Sequence, residues 1–169
     1  QQIHRAERYG HPLSLVLLDI DAFKAINDNH GLRVGDGVLC SLARLLARNL
    51  RESDQLCRWG GEAFLVLIPH SDPHQALQLA QRLRSLLARN PLLVDRPITA
   101  SFGVASLQPG EALSELLRLA RRALLRAKAT GRNRIECAST ELDRPGDDPG
   151  KTWPLASLSP SHNGTSRLK

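Results

Sequence analysis

The segment Leu13 to Asp19 (LSLVLLD) constrains this chain more than any other. It is short and almost wholly apolar, the mark of a β-strand buried on both faces. Two acids, Asp19 and Asp21, end it. A second constraint lies at Arg58-Trp59-Gly60-Gly61-Glu62-Ala63-Phe64, where two glycines separate strand-like segments Gln55 to Trp59 and Glu62 to Ile68. Glycine at both central positions allows the positive φ angles of a tight hairpin turn. Glu62 then stands at the rim of that turn, beside a backbone that phosphates could approach closely.

The remaining segments supply helices. Residues 1–10 read as the end of a helix closing at Gly10, and Phe23 to Asn29 as a short helix or turn, after which Gly31 and Gly35 break the chain. Asp36 is expected to cap a helix running to about Arg51, with Val38, Leu39, Leu42, Leu45, Leu46 and Leu50 at helical spacing. Asp72-Pro73 pairs an N-cap with a first-turn proline, and Ala76, Leu79, Ala80, Leu83 and Leu87 form the buried stripe of the helix it starts. A strand over Ile98 to Leu107, a helix over about Ala112 to Ala129 and an edge strand over Asn133 to Cys137 complete the order. The fold class is therefore α/β (α+β): a mixed, mainly antiparallel sheet covered by helices, ferredoxin-like with additions.

The 169 residues suffice for one domain with a full core and some excess. That domain is placed at 1–138. The Pro/Ser-rich segment 139–169 has too few apolar residues to offset its ordering entropy and is expected to be disordered. Aromatic residues are only 4% of the chain, which argues against a surface that stacks bases. The net charge of +6, nearly all from arginine, suits phosphate-bearing ligands without requiring nucleic acid. Cys40, Cys57 and Cys137 have no CxxC spacing and read as buried or semi-buried thiols of a reducing, cytoplasmic compartment. His70 and His74 read as surface residues. With no methionine, the chain reads as a fragment whose N-terminal partner region is missing.

If the Asp19 and Glu62 strands are neighbours, their carboxylates converge at one sheet edge. Two acids and a backbone carbonyl make a hard oxygen site suited to Mg²⁺, which polarises phosphoryl oxygens and assists deprotonation of an attacking hydroxyl. Lys24 lies one turn beyond and could neutralise charge developing on phosphates. For an isolated D-x-D, the plainer reading is that the acids cap the next helix.

The joint pattern is more specific. Asp19-Ile20-Asp21-x-Phe23-Lys24-x-Ile26-Asn27-Asp28, Gly35-Asp36, Gly60-Gly61-Glu62-x-Phe64 and Lys128-Ala129-Thr130-Gly131-Arg132-Asn133-Arg134 together resemble the GGDEF domain, the bacterial diguanylate cyclase module, from about Arg5 to Ile135. The resemblance implies a fold like the palm of nucleotidyl cyclases and polymerases. It also implies condensation of two GTP into cyclic di-GMP with release of two pyrophosphates, across a homodimer. Asp19, the Ile20 carbonyl and Glu62 would bind Mg²⁺ or Mn²⁺, two ions per GTP site. Glu62 would accept the proton and Lys24 would stabilise the transition state. Asn27 and Asp36 fall where the family reads guanine. Gly60 and Gly61 would let the nucleotide approach, and Lys128 and Arg132 would grip its terminal phosphates. Arg51-Glu52-Ser53-Asp54 matches the family's RxxD product-inhibition site, to which Arg82 would add a second arginine.

The chain departs from the family at Ala63, in place of a second glutamate, at Leu32, in place of a frequent histidine, and at Arg121 and Leu125, in place of Asp and Tyr. Losing one carboxylate should weaken or misplace a metal. The leading reading is therefore a diguanylate cyclase of reduced activity. The alternative is a degenerate domain that binds GTP or cyclic di-GMP as a receptor. Nucleic-acid binding through the arginines of the last helix is a distant third.

Overall fold

The computed structural model describes residues 11–93, 96–108 and 110–139. The expected helix end over residues 1–10, and the expected disordered tail beyond Ser139, lie outside the described residues. The elements are β1 (Leu13–Ile20), α1 (Phe23–His30), α2 (Leu32–Arg48), β2 (Gln55–Trp59), β3 (Ala63–Pro69), α3 (Pro73–Arg89), β4 (Ala100–Ser106), α4 (Leu113–Ala129) and β5 (Ile135–Cys137). The strands form one sheet in the order β2-β3-β1-β4-β5. β1 pairs antiparallel with β3 and β4, β2 antiparallel with β3, and β5 parallel with β4. The mixed, mainly antiparallel α/β architecture expected from the sequence is the one observed.

Every residue of β1 is buried, because helices cover both faces of the sheet. The two-residue period of a strand divides its side chains between two cores. Val16, Leu18 and Ile20 pack with Leu42 and Leu46 of α2 and Ala80 and Leu83 of α3. Leu13, Leu15 and Leu17 pack with Leu116, Leu119 and Ala120 of α4. α4 lies directly on β4 at Gly103, where a Cβ would overlap the Ala120 carbonyl and the Leu124 amide. That close approach explains a glycine inside a buried strand. α3 opens as expected: Asp72 Oδ1 accepts from the Gln75 amide at 2.8 Å, and Gln75 Oε1 accepts from the Asp72 amide at 3.0 Å. This reciprocal pair is a capping box.

Three expectations are corrected. Asp36 does not cap α2, which starts at Leu32 with Gly31 at the N-cap position. Gly31, at φ 87°, lets α1 close and α2 open with no intervening loop, so Gly35 and Asp36 are interior helical residues. The same helix ends at Arg48. The hairpin loop has three residues, since Trp59 pairs with Ala63. Of its glycines only Gly60 has a positive φ, 68°, and Glu62 belongs to the loop rather than to β3. The three cysteines are exposed, Cys40 on the outer face of α2 and Cys57 and Cys137 on the edge strands β2 and β5. His70 and His74 are exposed as expected. Among the described residues no helix is long and apolar enough to cross a membrane.

Candidate active site

The end of β1 brings Asp19 between the starts of both neighbouring strands. Asp19 pairs with Ala63 of β3 on one side and Ser101 of β4 on the other. Paired residues of an antiparallel sheet share a face, so the Asp19 and Ala63 side chains leave the sheet together, toward α4. Glu62 immediately precedes Ala63 in the hairpin loop. The two acids singled out in the sequence therefore meet at one end of the sheet.

Asp19 is only 6% exposed. Its Oδ2 accepts a hydrogen bond and ion pair from Lys128 Nζ, while Oδ1 is buried with no hydrogen-bond partner. Burial pushes the Asp19 carboxyl above the usual carboxylate range. The bond to Lys128 and that lysine's charge pull it back only in part, and the nearby Asp21 charge adds to the rise. Glu62 is raised as well, first by burial and then by the charge of Asp19, against a smaller opposing pull from Lys128. Two carboxylates thus share one ammonium in a partly dehydrated site, leaving negative charge uncompensated. An orphaned carboxylate oxygen, a second carboxylate beside it and the Ile20 carbonyl at the same strand end are donors that fit a hard divalent cation. The described residues contain no group of three or more His, Cys, Asp or Glu that could hold a metal by themselves. Ala63 stands where another acid would face Asp19.

The other candidates gather in three places. Asn27 of α1 packs its side-chain oxygen against Gly35 of α2: a Cβ at Gly35 would overlap Asn27 Oδ1, which is buried with no hydrogen-bond partner. Asp36 is the residue after Gly35 and is exposed, so the two guanine-reading candidates come to the same α1–α2 junction. Lys24, one turn before Asn27 on α1, is exposed. Gly60 and Gly61 are exposed in the hairpin loop, where Arg58 Nη2 donates to the Gly61 carbonyl at 2.7 Å.

Lys128 projects from the last turn of α4 to Asp19, a more specific role than complementing the helix dipole. Arg132 is exposed in the turn beyond α4, in the left-handed region with φ 60°. Away from the acids, Arg51 and Asp54 close a turn after α2: the Arg51 amide donates to Asp54 Oδ2 at 2.9 Å, and the Asp54 amide to the Arg51 carbonyl at 3.0 Å. Arg82 of α3 donates through Nη2 to the Asn49 carbonyl at 2.5 Å, which brings it to the same end of α2. All three sequence-predicted members of the RxxD group therefore share one surface. Of the departures from the family, Leu32 is 72% exposed at the start of α2 and Leu125 is exposed on α4.

Neither Asp19 nor Asp21 caps α1, whose N-cap position is Ala22 in a left-handed conformation without a side-chain bond. Asp21 instead is a buried hub, a role the sequence did not suggest. Its Oδ1 accepts from Ser101 Oγ at 2.6 Å, and its Oδ2 from Thr99 Oγ1 at 2.7 Å and the Asn133 amide at 2.9 Å. The D-x-D spacing was the visible signal. Its partners lie 78 to 112 residues away in sequence and could not be read from it.

The family model described as diguanylate cyclase, GGDEF domain, matches residues 1–134. Diguanylate cyclase DgcM of Escherichia coli is 43% identical over 125 residues, covering 74% of this chain and 30% of that protein. The chain spans less than a third of the length of the curated relatives it matches. Among solved structures, the active GGEEF domain of a diguanylate cyclase from Vibrio cholerae superposes with a TM-score of 0.77 at 35% identity, covering 82% of this chain and 90% of that one. The GGDEF domain of DgcB from Caulobacter crescentus, in complex with c-di-GMP, gives a TM-score of 0.76 at 30% identity, covering 80% and 83%.

Proposed function

Because this chain belongs to the GGDEF, diguanylate cyclase, family, we propose that it condenses two GTP into cyclic di-GMP and releases two pyrophosphates. The observation that carries this reading is the convergence of Asp19 and Glu62 at one sheet end, with Asp19 Oδ1 buried and unpartnered.

Asp19, the Ile20 carbonyl and Glu62 would hold Mg²⁺ or Mn²⁺, two ions per GTP site. Such ions supply charge neutralisation at the phosphates and acidify the attacking hydroxyl. Asn27 and Asp36 read the guanine edge, the carboxylate accepting from its N1–H and amino group. Gly60 and Gly61 leave room for the phosphates, and Lys128 and Arg132 bind the terminal ones. The 3′-oxygen of each GTP forms a bond to the α-phosphorus of the other. The bond to the bridging α–β oxygen breaks, and pyrophosphate leaves. Glu62 accepts the hydroxyl proton. Lys24 offsets the charge that develops on the α-phosphate. The two nucleotides must be bound by facing copies, so the active form is a homodimer. Further regions of the longer protein set when that dimer forms. Cyclic di-GMP inhibits by binding Arg51, Asp54 and Arg82.

The test is incubation of the chain at high concentration with GTP and Mg²⁺ or Mn²⁺. Product above that of a Glu62→Ala control is expected, and its absence sinks the enzyme reading. A second reading, a receptor that binds GTP or cyclic di-GMP without chemistry, is favoured by Ala63 and by the lysine already seated on Asp19. It predicts calorimetric binding without pyrophosphate release. Unchanged cyclic di-GMP affinity in Arg51→Ala removes the proposed product site under either reading.

A further inference from the structure

The turn after α4 is held from two sides in a conformation its residues do not favour. Arg132 and Asn133 both have positive φ, 60° and 46°, after Gly131 at 130°. In that region the Cβ of an L-residue crowds the next carbonyl, which asparagine tolerates better than arginine. Two non-glycine residues persist there in succession only if their surroundings fix them.

Arg132 is held at its own backbone, its amide donating to the Ala127 carbonyl at 2.9 Å and its carbonyl accepting from Arg134 Nε at 3.2 Å. The contacts that reach other parts of the fold are on Asn133. Its backbone N–H donates to Asp21 Oδ2 at 2.9 Å, and its side-chain Oδ1 accepts from Arg84 Nε of α3 at 3.1 Å. Asp21 is itself immobilised: it is 8% exposed, its other oxygen accepts from Ser101 Oγ, and its amide donates to the Thr99 carbonyl at 2.9 Å. It lies two residues beyond Asp19 and directly after Ile20. One buried carboxylate therefore ties the strand end that carries the acids to the turn that carries Arg132.

We propose that Asp21, assisted by Arg84, is a positioning residue for the triphosphate: it clamps Asn133 and so fixes the Arg132 side of the site relative to Asp19 and Glu62. The inference rests on the reading of Arg132 as a phosphate ligand. Asp21 meets no part of the nucleotide and acts only through the turn. Loosening the clamp should weaken recognition of the distal phosphates and leave recognition of the guanine and its first phosphate unchanged.

Calorimetric titration of the full chain with GTP and with GMP, in Mg²⁺, separates the possibilities. The wild type is expected to prefer GTP. In Asp21→Asn an acceptor shared by Thr99 and the Asn133 amide is weakened, and GTP affinity should fall about tenfold, the size of one charge-assisted hydrogen bond. GMP affinity should stay within about twofold. Arg84→Ala removes an exposed partner and should lower the GTP preference by about threefold, a weaker neutral-acceptor contact. A wild type with no preference for GTP over GMP removes the phosphate reading of Arg132, a failure distinct from that of the clamp. A wild type that prefers GTP, with Asp21→Asn keeping the full preference or losing both ligands in equal proportion, overturns the clamp. If Asp21→Asn does not fold, Arg84→Ala decides, and an unchanged preference overturns the proposal.

Discussion

Lys128, in the last turn of α4, is ion-paired with Asp19, at the end of β1, across 109 residues of sequence. The contact joins a helix to the centre of the sheet at the point where the proposed chemistry takes place. It also places a cation of the protein's own on a carboxylate that a divalent ion would use. Lys128 is proposed as a phosphate ligand as well, so a bound metal would compete with the lysine for Asp19, and bound phosphates would offer the lysine another partner.

Lys128→Met should therefore destabilise the chain when no metal is present. It leaves Asp19, with 8% of its side chain exposed, without its counter-charge. Breaking a buried pair by removing one partner costs about 3–5 kcal/mol. Because the lysine is 29% exposed, about 2 kcal/mol is expected. Mg²⁺ or Mn²⁺ should restore part of the loss by mass action on the folded state, so the melting temperature of the variant should respond to metal more than the wild type's. Denaturant unfolding with and without metal checks both points. Equal stability without metal would show that the pair is energetically idle.

Ala63→Glu should strengthen metal binding. Position 63 is 7% exposed and faces Asp19 on the α4 side of the sheet, so a carboxylate there joins the same cluster. Metal affinity is expected to rise by on the order of tenfold, the scale on which changes at a metal's surroundings act. Without metal the added charge should lower stability, because three acids would then share Lys128. Mn²⁺ titration and metal-free melting give opposite signs if the geometry is right. A gain in both, or in neither, contradicts it.

Much of this site was legible because its chemistry sits at strand ends. The apolar run to Asp19 specified a strand buried on both faces, and β1 is the central strand. The glycines before Glu62 specified a hairpin, but the pairing of β3 with β1 is what places the second acid beside the first. The exact loop was not legible: one positive φ at Gly60, not two, decides that Glu62 falls outside the strand. Asp36 misled for a related reason. A capping residue type is only a local preference, and the helix had already started at Leu32, four residues before Asp36. The Lys128–Asp19 pair and the Asp21 hub depend on which distant segments pack together, and no local pattern encodes that.

Gly35→Ala should impair guanine recognition without unfolding the chain. The new Cβ would overlap Asn27 Oδ1, so the amide must turn away from its present position. Alanine is favoured over glycine within a helix by about 1 kcal/mol, which offsets the strain. Stability should change little, while GTP affinity falls by roughly tenfold, about one lost hydrogen bond to the base. Preference for GTP over ATP should fall with it. Calorimetry with both nucleotides tests this, and unchanged preference would remove Asn27 from the base site.

Glu62→Gln should stabilise the metal-free chain at neutral pH. Burial and the Asp19 charge raise the Glu62 carboxyl above its unfolded value, so folding favours its protonated form. The stability this contributes is fully present below the ordinary glutamate pKa of about 4.3 and is lost as pH rises through the raised folded value. At pH 7 the ionised glutamate is thus a liability that the neutral amide lacks. The melting temperature of Glu62→Gln should exceed that of the wild type at pH 7, with the gap closing as pH falls through the carboxylate range. The same substitution should abolish cyclic di-GMP formation, since an amide cannot accept the hydroxyl proton. A gap that is absent at pH 7, or that widens on acidification, would mean that Glu62 is not held in a dehydrated site of net negative charge beside Asp19.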